Sequence, residues 1–168
     1  MKLKIVFLVL FTLTYILNGF SQAQRALKVG DKAPDFTLKN SLGEVVSLNS
    51  FLDRGYVILT WYRGAWCPYC NLALVELQDN LGEFKELGAE LIAISPQIAD
   101  STLTLQQKKE LQFALLSDTD NQIAKKYGIS FSLDPDKNKL YEERISLSKY
   151  NGNTKGLLPI PATYIIDK

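Results

Sequence analysis

Two segments, Tyr56–Tyr62 and Ala89–Ser95, are dominated by aliphatic, β-branched and aromatic side chains with little polar alternation. A strand that is apolar on both faces must be covered on both sides, as in a sheet flanked by helices. The segment between them supplies such a cover. Leu74, Leu77, Leu81 and Phe84 recur at helical spacing, and Gly88 follows where a helix-ending glycine would stand. A helix is therefore predicted from about Cys67 or Cys70 to Leu87, and the second strand stops before Pro96.

The same pattern extends in both directions. Phe36–Lys39 and Val45–Leu48 flank the turn cluster Asn40-Ser41-Leu42-Gly43 and read as a hairpin. Ser101–Leu111 is predicted helical, Phe113–Leu116 a strand, Asn121–Tyr127 a helix ended by Gly128, and Thr163–Ile166 the last strand. Leu133–Lys155 is polar, with one short helix expected around Leu140–Ile145. Strands alternating with helices give an α/β class with a central, mostly parallel sheet. A length of 168 residues is one domain's worth. A net charge of +1 and 22% charged residues give no basic excess that would point to nucleic acid.

Residues 1–23 read as a secretory signal peptide rather than as part of that domain. Lys2 and Lys4 open it, Ile5–Leu17 is almost wholly apolar, and Ser21-Gln22-Ala23 offers small residues to a signal peptidase. The apolar run spans about 13 residues, short of the ~20 that cross a bilayer. The folded domain is then 24–168, exported to the periplasm or secreted, with no stable membrane association once the signal is removed. Disulfides persist in such compartments.

The chemistry is narrowed by what the chain lacks. With no histidine, Cys-His and Ser-His-Asp catalysis and His-ligated metals are excluded. Two cysteines, Cys67 and Cys70, cannot close a four-thiolate zinc site. What remains is Trp66-Cys67-Pro68-Tyr69-Cys70, at the hand-over from strand to helix. Cysteines three apart on a first helical turn lie within disulfide reach. The helix dipole favours a thiolate there, and such motifs lower thiol pKa values to about 3.5–7.5. Pro68 has no N–H to lose and its fixed φ suits the first turn. Arg63 is either a further thiolate partner or an ordinary strand-end cation, and Trp66 and Tyr69 either shield the sulfurs or pack as core. A static bridge across so short a loop would add little stability, which favours a redox centre. A second signal is Pro159-Ile160-Pro161-Ala162-Thr163, before the last strand. There a cis Ile160–Pro161 bond near the sulfurs is expected, with Pro159 shaping the approach.

Together these stretches resemble the alkyl hydroperoxide reductase/thiol-specific antioxidant (AhpC/TSA) group of peroxiredoxins, on the thioredoxin-like fold. The likeness covers about Val29–Asp167. It is carried by Gly30–Phe36, Tyr62–Asn71, Ala93–Gln97, Leu115–Asp118, Tyr150–Asn153 and Leu158–Asp167, and is most specific in the cysteine and Pro-Ala-Thr-Tyr-Ile-Ile-Asp stretches. The branch it is most similar to carries Tyr-Arg-Gly-x-Trp-Cys-Pro-Tyr-Cys-Asn. The resemblance implies reduction of hydrogen peroxide or organic hydroperoxides by a cysteine, with no metal, flavin or haem. It implies an external thiol reductant such as a thioredoxin-like protein, and it admits a homodimer.

Against the family pattern Pro-x-x-x-Thr-x-x-Cys, Arg63 takes the proline position, Cys67 the threonine position and Cys70 that of the attacking cysteine. Pro161 stands where the family has an arginine. Under this resemblance Cys70 attacks and Cys67 resolves. Trp66-Cys67-x-x-Cys70 with Pro161 is also similar to thioredoxin, in which the first cysteine attacks, so an exported thiol–disulfide oxidoreductase is the alternative. A non-catalytic redox sensor or binding module is a third reading. Family members continue past Asp167 into a further strand and helix. Here a C-terminal hairpin and helix are expected to be absent, leaving the last strand a bare edge.

Overall fold

The computed structural model describes residues 25–168, so the predicted signal segment lies outside the described residues. In chain order the elements are β1 (Thr37–Asn40), β2 (Val45–Ser47), α1 (Leu48–Leu52), β3 (Tyr56–Trp61), α2 (Pro68–Asp79), α3 (Leu81–Glu86), β4 (Ala89–Ser95) and α4 (Ala99–Lys108). Then follow β5 (Ala114–Ser117), α5 (Gln122–Lys126), β6 (Ser130–Ser132), α6 (Pro135–Ile145), α7 (Leu147–Asn151), β7 (Leu157–Pro159) and β8 (Ala162–Ile166). A six-stranded sheet runs β2-β1-β5-β4-β3-β8. Its centre, β3, β4 and β5, is parallel as the apolar runs predict. The flanks are antiparallel: the β1–β2 hairpin joins through β1 to β5, and β8 pairs with β3. The sheet is therefore mixed, with parallel pairing confined to the strands that are apolar on both faces.

Alternation along those strands feeds two cores. Val57, Leu59, Trp61, Ile92, Ile94 and Leu116 pack on one face with Phe36, Phe51 and Tyr127. Leu91, Ala93 and Leu115 pack on the other with Cys67, Cys70, Leu74, Leu81 and Leu105. Leu59 and Ile92 are wholly buried, and each such side chain contributes roughly 1.5–3 kcal/mol. The cysteines thus belong to a core, not to a surface loop.

Four expectations need correction. The helix predicted through Leu87 is two, broken at Asn80 (φ −95°, ψ 4°), whose side-chain amide donates to the Glu76 carbonyl at 2.7 Å. Asparagine competes for backbone partners in this way, and the break turns Leu81 into the core. The short helix around Leu140–Ile145 starts earlier, at Pro135, because Asp134 caps it by accepting the Lys137 N–H at 2.9 Å. Ile160–Pro161 is trans, since no described residue follows a cis peptide bond. That path is extended: the Ile160 N–H donates to the Ile129 carbonyl at 2.7 Å, and Ala162 already pairs with Trp61. Pro159 is buried at the end of β7, opposite Ser130 in a separate β6–β7 ribbon that the sequence pattern does not announce.

Candidate active site

β3 carries the chain to the site, and its last ladder contact beyond Trp61 is the Tyr62 N–H on the Ile94 carbonyl at 3.0 Å. Burial pushes the Tyr62 phenol up to about 12, despite the hydroxyls of Ser95 and Thr102 beside it, so it stays neutral in the core. Gly64–Cys67 then forms a tight turn, closed by the Cys67 N–H on the Gly64 carbonyl at 3.0 Å. Gly64 has φ +151°, and a Cβ there would lie 2.5 Å from Trp66 Nε1, so both backbone and packing require glycine.

Cys67 is the N-cap of α2, Pro68 its first residue, and Cys70 lies one turn in. The Cys67 and Cys70 Cα atoms are 5.3 Å apart and the sulfurs are paired. Both residues are nearly inaccessible, at 4% and 6% exposure, which keeps bulk water from the sulfurs. Cys67 Sγ also accepts the Cys70 N–H at 3.3 Å. That bond and the helix terminus stabilise a thiolate at Cys67 more directly than at Cys70.

The other predicted residues divide. Trp66 is half-buried and packs against the cysteine core, and its ring meets the Tyr141 ring of α6 edge-on at 5.6 Å. Tyr69 is 81% exposed, so it faces solvent and shields nothing. Arg63 is half-buried and, among the described residues, pairs with no carboxylate and leaves Nε without a partner. Pro161 is exposed just past the Trp61–Ala162 pair, at the end of β3 from which the cysteine turn departs.

Two residues without a role in the sequence reading hold the turn. Gln97, wholly buried after β4, accepts the Ala65 N–H at 2.7 Å. Asn71, next to Cys70, donates to the Ala65 carbonyl at 2.8 Å. Their signal was present: an amide just past a strand buried on both faces, and another on the first turn of the cysteine helix.

The sequence matches the profile of the AhpC/TSA family over residues 29–168, the turn, both cysteines and all eight strands included. The chain belongs to the AhpC/TSA family. Among AhpC/TSA relatives it is 35% identical over 103 residues to the peroxiredoxin Bcp of Escherichia coli, a match spanning 61% of this chain and 65% of that protein. Its fold superposes on the peroxidoxin BcpB of Mycobacterium tuberculosis with a TM-score of 0.69 and 25% identity, over 84% of this chain and 79% of the other. The reduced 2-Cys peroxiredoxin of Plasmodium vivax shares the fold at a TM-score of 0.62 and 22% identity, over 84% and 79% of the two chains. The AhpC/TSA domain here therefore has the thioredoxin-like fold anticipated from its sequence.

Proposed function

We propose that this chain is a thiol-dependent peroxidase of the peroxiredoxin type, with Cys67 and Cys70 as its redox pair. The observation that carries the reading is two buried sulfurs within bonding reach at a helix N-terminus, in an AhpC/TSA chain. A thiolate attacks the O–O bond of a hydroperoxide: an S–O bond forms, the O–O bond breaks, and the alcohol or water leaves with a proton. The second thiol attacks the resulting sulfenic acid, forming the disulfide and releasing water. An external dithiol of the thioredoxin class then supplies two electrons by exchange. Family register assigns attack to Cys70 and resolution to Cys67. Arg63, which pairs with no carboxylate among the described residues, is a cation placed to favour an anion at this end of β3. Export rests on the Lys2–Ala23 pattern.

One observation favours a second reading. The Cys70 N–H donates to Cys67 Sγ, which makes Cys67 the better thiolate, as a thiol–disulfide oxidoreductase acting on protein disulfides requires. Single-cysteine variants separate the two. In the peroxidase, Cys70→Ser abolishes peroxide consumption and Cys67→Ser leaves a single turnover. The reverse pattern reassigns the attack to Cys67. Consumption no faster than a free thiol in either variant, with rapid reduction of a protein disulfide by the wild type, rejects the peroxidase.

A further inference from the structure

Both backbone polar groups of Ala65 are taken by side chains from different parts of the fold. The N–H goes to Gln97 Oε1 beyond β4 at 2.7 Å, and the carbonyl receives Asn71 Nδ2 from α2 at 2.8 Å. The arrangement is costly to maintain. Gln97 is wholly buried, and its Nε2, like Asn71 Oδ1, is out of water without a hydrogen-bond partner. An apolar side chain of the same size would fill that space without the unpaired donor, so the space alone does not call for an amide.

What the two amides fix is the first half of the Gly64–Cys67 turn. Once Ala65 is held on both sides, the Cys67 N–H meets the Gly64 carbonyl at 3.0 Å and Cys67 is held as the N-cap. Only there does its sulfur lie 3.3 Å from the Cys70 N–H. A turn free to rotate at Ala65 would carry the sulfur off the helix terminus, where the thiolate loses both the donor and the dipole.

We propose that Gln97 and Asn71 are positioning residues that keep the Cys67 thiol acidic and the Cys67–Cys70 disulfide readily reduced, by clamping Ala65 from both sides. The inference rests on the pair being the redox centre, but its test uses no peroxide. Its failure is therefore distinguishable from failure of the peroxidase reading.

The experiment measures the pH dependence of iodoacetamide alkylation of Cys67 in full-length Cys70→Ser protein, with and without Gln97→Ala or Asn71→Ala. Either substitution is expected to raise the Cys67 pKa by about one unit, a roughly tenfold loss of thiolate at pH values below it. With both cysteines present, equilibration against glutathione should shift about tenfold toward the oxidised protein. Because both amides act through one residue, the double variant should shift little more than the larger single variant. Cys70 in a Cys67→Ser background should not respond. Gln97→Met fills the same space without the accepting oxygen and replaces Gln97→Ala should that variant not fold. A lowered unfolding midpoint with unchanged Cys67 pKa and glutathione equilibrium would reduce the two amides to structural residues and overturn the proposal.

Discussion

The cysteine turn and helix α6 touch each other, yet they are held by different forces. The turn is rooted: Cys67 and Cys70 lie in one core cluster with Leu74, Leu91 and Leu105, and buried Gln97 ties Ala65 to the loop after β4. Helix α6 has no buried residue at all. Its support is mostly local: the Asp134 cap, Pro135 at its start, and Glu142 accepting the Ser148 N–H at 2.8 Å to lead into α7, besides the Asn138 amide donating to the Thr154 carbonyl at 3.2 Å. The two regions meet through the Trp66–Tyr141 edge contact. Long-range burial makes the cysteine turn part of the cooperative core, whereas short-range capping makes α6 a cover that opens at lower cost.

The comparison is broken most easily at its rooted end. Leu74 is almost fully buried on the inner face of α2, four residues past Cys70. Leu74→Ala should cost about 2–5 kcal/mol in urea unfolding and weaken protection of the whole molecule. A cost under about 1 kcal/mol would mean that α2 is not anchored by that core. The lighter end gives a smaller effect. Asp134→Ala removes the cap of α6 and should cost about 1 kcal/mol. Amide exchange should quicken in α6 and stay unchanged in α2 and β3–β5, because no residue of α6 is buried. Equal loss of protection in α2 would show that the two regions form one cooperative unit.

The same contrast explains what the sequence revealed. β3 and β4 were legible because each is apolar on both faces, and the cysteine pair because its spacing and its place between strand and helix are both local signals. Apolar periodicity does not mark the start of α6, because no residue of that helix is buried; the Asp134-Pro135 cap carries the information instead. The β6–β7 ribbon pairs three-residue strands across the whole α6–α7 segment, so no local pattern marks it. The antiparallel flanks of the sheet, like the clamp on Ala65, depend on which distant segments meet. At the site, the positions of Cys67, Pro68 and Cys70 follow from sequence. The outward-facing Tyr69 does not, because one turn of helix puts neighbours on opposite sides and only the packed fold decides which is inside.

The most direct test of the central claim is the rate at which fully reduced protein loses its thiols to hydrogen peroxide, with a small free thiol as reference. The buried pair at the α2 terminus predicts a rate orders of magnitude above the reference, ending in an intramolecular disulfide. A rate near that of the free thiol would contradict the peroxidase and leave exchange with protein disulfides as the chemistry of the pair.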